Sequence, residues 1–161
     1  MPTSKTITIM GIDPGLATTG WGILEKKGQK LALIDYGLIA TNAKKEFAQR
    51  LKIINQDLAK VIKKYKPDAF GVESIYFCKN VKTALLVGQA RGVILLTCIK
   101  TNKPIFDFTP LQIKQAITTY GRADKKQVQQ MVKIILNLKN IPKPDHAADA
   151  LACAICAANS I

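Results

Sequence analysis

Acidic, histidine and tryptophan residues are scarce in this sequence. Only 11 of its 161 residues are aspartate or glutamate, against 24 lysines and arginines, and there is one histidine and one tryptophan. The resulting formal net charge of +13 at pH 7 indicates a polyanionic partner. Nucleic acid is the first candidate for that partner, and an anionic membrane surface is the second.

Long apolar runs, a secretion signal and a dense cysteine framework are also missing. We expect no membrane-spanning stretch, and residues 1–10 lack the apolar segment and cleavage site of a signal peptide. Because 48% of the residues are hydrophobic, general disorder is excluded, and four cysteines are too few for a disulfide-dense miniprotein. The sequence predicts one domain over residues 1–161, with reduced thiols in the cytoplasm.

Cys153 and Cys156 form a C-x-x-C motif, a spacing found in zinc and redox sites. The motif lies in an alanine-rich stretch without a second pair of ligands, and the one histidine is seven residues before Cys153. Buried thiols on a helix are therefore the favoured interpretation, with metal or redox chemistry as the alternative.

The hydrophobic periodicity predicts the element order β-β-β-α-β-α-β-α-α-α. Strands are predicted at 7–13, 20–25, 31–40, 69–73 and 104–108, and helices at 44–64, 81–99, 110–118, 124–138 and 145–158. This order is typical of an α/β fold in which a mixed sheet is flanked by helices.

Three of the few acids lie on apolar elements. Asp13 ends the first predicted strand, Glu73 ends the fourth, and Asp149 lies on the last helix, three residues after His146 and on the same face. Carboxylates in apolar surroundings need a cation or hydrogen-bond donors. If these groups converge, a divalent ion between them relieves their repulsion; Mg²⁺ suits the oxygen donors, and Mn²⁺ also tolerates an imidazole.

Each of these residues also has a simpler interpretation. Asp13 precedes Pro-Gly, which is typical of an Asx turn, Glu73 can pair with a surface lysine, and His146 can be a surface residue of a first helical turn. Asp145 is interpreted as an N-cap or first-turn acid, and its contact with metal is left open. The combination favours a metal site, since the simpler interpretation must explain every acid separately.

Several motifs, taken together and in order, resemble the RuvC family of Holliday junction resolvases. They are Gly11-Ile-Asp-Pro-Gly15, Val72-Glu-Ser74, Lys79-Asn80, Gly88-Gln-Ala-Arg-Gly92 and His146-Ala-Ala-Asp-Ala-Leu151. Residues 110–115 and 125–131 are also similar to that family, so the resemblance covers essentially the whole chain.

The resemblance implies an RNase H-like fold with a mixed five-stranded sheet. It also implies a homodimeric, metal-dependent endonuclease of homologous recombination and repair. Such an enzyme nicks two opposed strands of a four-way DNA junction, and we expect 5′-phosphate and 3′-hydroxyl ends.

The family's catalytic and metal-binding positions fall on Asp13, Glu73, His146 and Asp149, and Asp145 is out of register with them. We expect two Mg²⁺ ions per subunit, replaceable by Mn²⁺ and about 4 Å apart, one activating water and one stabilising the leaving oxygen. In this scheme Asp13 bridges both ions, Glu73 and Asp149 hold one each, and His146 binds metal or shuttles a proton.

The candidate DNA-binding residues flank the predicted site. They are Tyr76, Lys79, Lys82, Arg91, Lys114, Lys125 and Lys126. Phosphate contacts from the basic residues predict a salt-sensitive, largely sequence-independent affinity, with a solvated surface as the alternative. Lys114 and Lys125 match basic positions of the family. Tyr76 matches its aromatic position and is a candidate for stacking on a base at an opened junction, with core packing as the alternative.

The partner predictions follow from the same resemblance. The two-fold symmetry of a homodimer would place one active site on each of the two opposed strands. Helix 81–99 is a candidate for the dimer contact, and the alternative is that this helix is packed on both sides within one subunit. A branch-migration helicase complex and a bacterial, nucleoid-associated cytoplasmic location are expected, without a membrane. Two alternative functions remain open: an RNase H-like nuclease acting on another nucleic acid, and a branched-DNA-binding domain that does not cut.

Overall fold

The computed structural model describes residues 4–75 and 80–161. Within these ranges the elements follow the predicted order. They are β1 (Thr6–Asp13), β2 (Thr18–Lys27), β3 (Lys30–Ala40), α1 (Phe47–Tyr65), β4 (Ala69–Glu73), α2 (Val81–Ile99), β5 (Ile105–Phe108), α3 (Pro110–Thr118), α4 (Lys125–Ile135) and α5 (Asp145–Asn159). The predicted α/β class with a mixed five-stranded sheet is confirmed.

Two helix boundaries differ from the prediction by three residues, for local reasons, and three others differ by one residue. Helix α1 begins at Phe47 rather than at residue 44, because the Asn42 side chain accepts a hydrogen bond from the Lys44 backbone and holds a turn there. Helix α4 ends at Ile135 rather than at residue 138, because Asn137 adopts a left-handed φ of 51°. A backbone hydrogen bond from Leu138 to Lys133 then closes the end of α4.

The sheet has the strand order β3-β2-β1-β4-β5. Strands β1, β2 and β3 form an antiparallel meander, whereas β4 pairs in parallel with β1 and β5 pairs in parallel with β4. The mixed character follows from the connections: short turns join the first three strands, and helical crossovers precede β4 and β5. As a result, the carboxyl ends of β1 and β4 lie side by side at one edge of the sheet.

Helices cover both faces of the sheet. Successive residues of β1 alternate between the faces, so that Ile9 packs in the cluster with α5 and Met10 packs in the cluster with α1 and α2. Alanine and cysteine side chains make up most of the buried surface of α5, which lets this helix lie close to the strands. Cys98, Cys153 and Cys156 are free and buried, as expected for packed thiols.

Helix α2 corrects one expectation. An 18-residue window of this 19-residue helix has a mean hydropathy of 1.4, so α2 is long and apolar enough to cross a membrane by those two measures. The prediction that no apolar run reaches membrane-spanning length was therefore wrong by these two measures. The inner side of α2 packs into the cluster with α1 through Ala90, Ile94 and Cys98, as a core helix does. Its outer side leaves Val81 and Leu85 more than 60% exposed.

Candidate active site

Asp13 and Glu73 are brought together by the parallel pairing of β1 with β4. Ile12 is in register with Val72, so the two acids that follow them end neighbouring strands on the same side of the sheet. Burial is the main reason why the pKa of Asp13 rises to about 6 and that of Glu73 to about 8. The mutual contact of the two carboxyls adds to the increase for Glu73, so the pair holds a proton near neutral pH in the absence of a cation.

The turn after Asp13 and the chain after Glu73 are both fixed by hydrogen bonds. The Thr19 hydroxyl, which is buried, donates to the Gly15 carbonyl at 2.6 Å and so closes the turn between β1 and β2. Beyond Glu73, the Ser74 backbone donates to the Phe108 carbonyl at 2.8 Å. The first contact fixes the turn after Asp13, and the second extends the pairing of β4 with β5 past Glu73, so the backbones of both acids are held on rigid elements.

Helix α5 supplies the other two candidate ligands, His146 and Asp149. Glycines let it approach the sheet: a Cβ at Gly11 would lie 1.9 Å from the Ala150 carbonyl oxygen, and one at Gly20 would lie 2.0 Å from the His146 carbonyl oxygen. Since Gly20 is the cross-strand partner of Asp13, this close packing places the first turn of α5 against the end of β1.

His146 and Asp149 meet Asp13 at that point. The His146 Nδ1 atom lies 2.9 Å from Asp13 Oδ2. One ligand atom from each of Asp13, His146 and Asp149 falls within 4.8 Å of the other two. Clustered oxygen donors with one imidazole fit a divalent cation such as Mg²⁺ or Mn²⁺. Glu73 lies outside this group of three but contacts Asp13, so one cation site, with Glu73 adjacent, is compatible with the arrangement.

Asp149 also faces a cation of the protein itself. Its Oδ2 lies 3.5 Å from Lys125 Nζ, and Lys125 also lies 3.4 Å from Asp145 Oδ2. Burial raises the pKa of Asp149, and Lys125 opposes that increase. Asp145 lies on the Lys125 side of α5, outside the group formed by Asp13, His146 and Asp149. The structure thus places Asp145 in an ion pair.

A cavity of about 230 Å³ opens beside the carboxylates. Two lysines predicted to contact DNA, Lys114 and Lys125, line it together with Glu73 and Asp149. The remaining lining residues are Pro110, Ile113, Val128 and Ala152. A basic rim next to an acidic centre can hold an anionic phosphate over that centre, since the lysines offset the repulsion from the carboxylates.

The other predicted DNA contacts lie in different surroundings. Lys82 is exposed at the start of α2, and Lys126 lines a separate pocket on α4. Arg91 donates from Nε to the Glu73 carbonyl at 3.2 Å and pairs with Asp107, so its guanidinium holds the end of β4. Tyr76 and Lys79 lie outside the described residues.

Sequence reasoning missed one part of the site. Gln129 is buried and donates from Nε2 to Asp145 Oδ1 at 3.0 Å. The available signal was its spacing: Gln129 follows Lys125 by four residues, so both side chains leave α4 on one face. Nothing in the sequence indicates that this face meets the first turn of α5.

A sheet of this order, with carboxylates at the ends of β1 and β4 and on the last helix, defines a nuclease of RNase H-like fold. The model of the family described as crossover junction endodeoxyribonuclease RuvC matches residues 9–157. The chain belongs to this family, as its motifs predicted, and its enzyme class is that of the crossover junction endodeoxyribonucleases.

Individual relatives agree with that membership. A crossover junction endodeoxyribonuclease RuvC of Halothermothrix orenii is 56% identical over 154 residues, covering 96% of this chain and 93% of the relative. The RuvC structure of Thermus thermophilus matches with a TM-score of 0.87 at 34% identity, covering 96% of this chain and 95% of that one. A T. thermophilus RuvC structure in complex with Holliday junction substrate gives 0.86 at 31% identity, with the same coverage.

Proposed function

We propose that this chain resolves four-way DNA junctions by paired, symmetric nicks that leave 5′-phosphate and 3′-hydroxyl ends. The observation that carries the proposal is the convergence of Asp13, His146 and Asp149, with Glu73 beside them, under a lysine-lined cavity. The T. thermophilus relative, solved with a Holliday junction substrate, supports the choice of substrate.

Asp13, Glu73, His146 and Asp149 are the proposed metal-binding and catalytic set. These residues fit a divalent cation because of their donor atoms. Burial raises the pKa values of Asp13 and Glu73, and a divalent cation that replaces their shared proton stabilises the clustered carboxylates. We propose two Mg²⁺ ions per subunit, with Mn²⁺ as a substitute. When bound, such ions lower the pKa of the attacking water and stabilise the leaving oxygen.

The chain's own residues then bind and orient the phosphodiester. Lys114 and Lys125 hold the phosphate at the cavity, and their charges offset those that develop on the phosphate oxygens. His146, more exposed than Asp13, is placed to bind metal or to move a proton at Nδ1. Asp13 and Glu73 keep their positions because the sheet fixes both strand ends.

The DNA arms extend beyond the cavity. Lys82 and Lys126 are exposed and placed to contact phosphates, and we keep Tyr76, Lys79 and Arg91 as proposed DNA contacts. Arg91 pairs with Asp107, and its side chain is 19% exposed. Its contribution therefore includes holding the strand end of Glu73 as well as adding positive charge.

A homodimer is the proposed assembly, and the outer side of α2 is its proposed interface. Exposed apolar residues and glycines repeat along this side every three or four residues: Val81, Leu85, Gly88, Gly92, Leu96 and Ile99. A Cβ at Gly88 or Gly92 would meet no atom within 4 Å, so a second helix can approach there closely. A second copy of the chain offers the same stripe, as a two-fold interface requires.

The remaining parts of the proposal rest on family membership. They are a single RNase H-like domain over residues 1–161, cooperation with a branch-migration helicase complex, and a nucleoid-associated place in the bacterial cytoplasm without a membrane partner.

Cleavage of a labelled synthetic junction, beside a linear duplex of the same sequence, tests the proposal. We expect ligatable nicks in the junction with Mg²⁺ or Mn²⁺, and loss of cutting but not of binding in Asp13→Asn. The matched control is Asp57→Asn, which neutralises an exposed acid paired with Lys60 on α1. Binding without cutting would favour a non-cleaving domain, and cutting of other nucleic acids alone would favour a different nuclease.

A further inference from the structure

Helix α4 presents two polar side chains, those of Lys125 and Gln129, to the first turn of α5. The Asp124 side chain caps α4 by accepting from the Gln127 backbone at 2.8 Å, which makes Lys125 the first helical residue. Gln129 follows one turn later on the same face. Both side chains reach Asp145, the first residue of α5.

The position of Lys125 in the first turn of α4 is not explained by the stability of that helix. A positive charge at a helix N-terminus opposes the helix dipole and is unfavourable there. Two acids of α5 offset that cost, because Lys125 Nζ lies 3.4 Å from Asp145 and 3.5 Å from Asp149. The ammonium group therefore sits between an exposed acid and a largely buried one.

Asp145 is held from two sides. Its Oδ2 faces Lys125, while its Oδ1 accepts a hydrogen bond from Gln129 at 3.0 Å. Gln129 is 9% exposed, so packing restricts its amide and the amide in turn fixes the plane of the carboxylate.

Asp149 has a second task in the proposed function, and Asp145 does not. A carboxylate that binds a divalent cation shares its charge with that cation, which weakens its hold on a neighbouring ammonium group. Asp145 lies on the other side of Lys125 and keeps its charge. It can therefore hold Lys125 in the same place whether or not Asp149 is engaged.

We infer that Asp145, held by Gln129, is a positioning residue that keeps the Lys125 ammonium group at the cavity beside the active-site carboxylates. The inference rests on the proposed function, because Lys125 acts there on the phosphate. Asp145 acts through Lys125, and Gln129 acts through Asp145.

A different role for Asp145 is that of a first-turn acid that only stabilises α5 through the helix dipole. That role requires neither Gln129 nor Lys125. The two roles differ in how a substitution of Asp145 combines with a substitution of Lys125. If Asp145 only positions Lys125, replacing it has no effect on cleavage once Lys125 is absent, whereas the loss of a helix-stabilising residue keeps its effect.

The test is a double-mutant cycle on single-turnover junction cleavage. Asp145→Asn keeps an oxygen that can accept from Gln129 but removes the negative charge that faces Lys125. Gln129→Leu removes the hydrogen bond to Asp145. We expect each to slow cleavage by about tenfold with little change in junction affinity, and to have no further effect when combined with Lys125→Met. Asp57→Asn, which breaks a similar exposed pair on α1, serves as the control.

A second readout needs neither metal nor DNA. Acetylation of lysines in the free protein, followed by mass spectrometry, measures how far the ion pair shields Lys125. We expect Asp145→Asn to raise the labelling rate of Lys125 several-fold while the rate of neighbouring Lys126 stays unchanged. Equal labelling of Lys125 in both proteins would overturn the inference.

The cleavage outcomes separate this inference from the proposed function. If the wild-type protein fails to cut junctions, the proposed function fails, while the labelling experiment still judges the placement of Lys125. If the wild-type protein cuts and Asp145→Asn is equally fast, or if its loss adds fully to that of Lys125→Met, the positioning role is wrong. Asp145 is exposed, so Asp145→Asn keeps the test valid even where Gln129→Leu disturbs the core.

Discussion

The Nδ1 atom of His146 lies 2.9 Å from Oδ2 of Asp13, although the two residues are 133 positions apart in the chain. The contact joins the end of β1 to the first turn of α5, and it exists because Gly20 leaves space for the His146 backbone. Asp149 completes the group one turn later on α5. The proposed metal site is therefore a product of helix-on-sheet packing as much as of its donor residues.

The stability of the metal-free protein is expected to fall as pH rises. The pKa of Asp13 is raised to about 6 and that of Glu73 to about 8. The folded state thus keeps protons that the unfolded state releases above about pH 4, and stability is lost between about pH 4 and 8. One pKa unit corresponds to about 1.4 kcal/mol, so shifts of this size predict a loss of several kcal/mol.

Thermal unfolding in the presence of a chelator checks this, at pH 5 and at pH 8.5. Asp13→Asn removes one of the two acids. The unfolding temperature of this variant should therefore fall less between pH 5 and pH 8.5 than that of the wild type. An equal decrease of the unfolding temperature in both proteins would contradict the raised pKa of Asp13.

His146→Ala is expected to change the preference between metals. An imidazole ligand suits Mn²⁺ better than Mg²⁺, so the variant should need about tenfold more Mn²⁺ for half-maximal cleavage. The requirement for Mg²⁺ should change less. Metal titrations of the cleavage rate measure both effects, and an equal change for the two ions would count against His146 as a ligand.

Lys114→Met is expected to weaken junction binding and to lower its salt dependence. One lost phosphate contact reduces the slope of log affinity against log salt by about 1. The control is Lys60→Met on α1, whose lysine pairs with Asp57. Fluorescence anisotropy at several salt concentrations measures the slope, and identical slopes for Lys114→Met and the wild type would remove Lys114 from the DNA surface.

Leu85→Lys is expected to dissociate the proposed dimer. Leu85 is 63% exposed on the outer side of α2, whereas Ile34 is 48% exposed on β3. A lysine at residue 85 brings two like charges together across a two-fold interface, and a lysine at residue 34 does not. Sedimentation should show monomers for Leu85→Lys and dimers for Ile34→Lys. A wild-type protein that is monomeric at micromolar concentration would contradict the interface.

Much of the fold could be predicted because its signals are local. The apolar runs that end in Asp13 and Glu73 predict two of the strands, and the spacing of apolar residues at threes and fours predicts the helices. The order of the strands is not local. It depends on β4 pairing with β1 rather than with β3, a choice made by packing across the whole sheet.

The candidate site also has a part that could be predicted from the sequence and a part that could not. Its acids could be predicted because charge on apolar elements is costly without a partner. The contacts of Lys125 and Gln129 with Asp145 could not, since 16 residues or more separate the partners along the chain. Their meeting depends on how α4 packs against α5, and helical periodicity carries no signal of that packing.

The central claim is that the Asp13 centre cuts four-way junctions on two opposed strands. The most direct measurement follows cleavage of a junction in which all four strands carry distinguishable end labels, with Mg²⁺ present. The account predicts nicks at symmetry-related positions on one pair of opposed strands, closed by ligase and absent in Asp13→Asn. Nicks that fall equally on all strands and on linear duplex, or cutting that persists in Asp13→Asn, would contradict it.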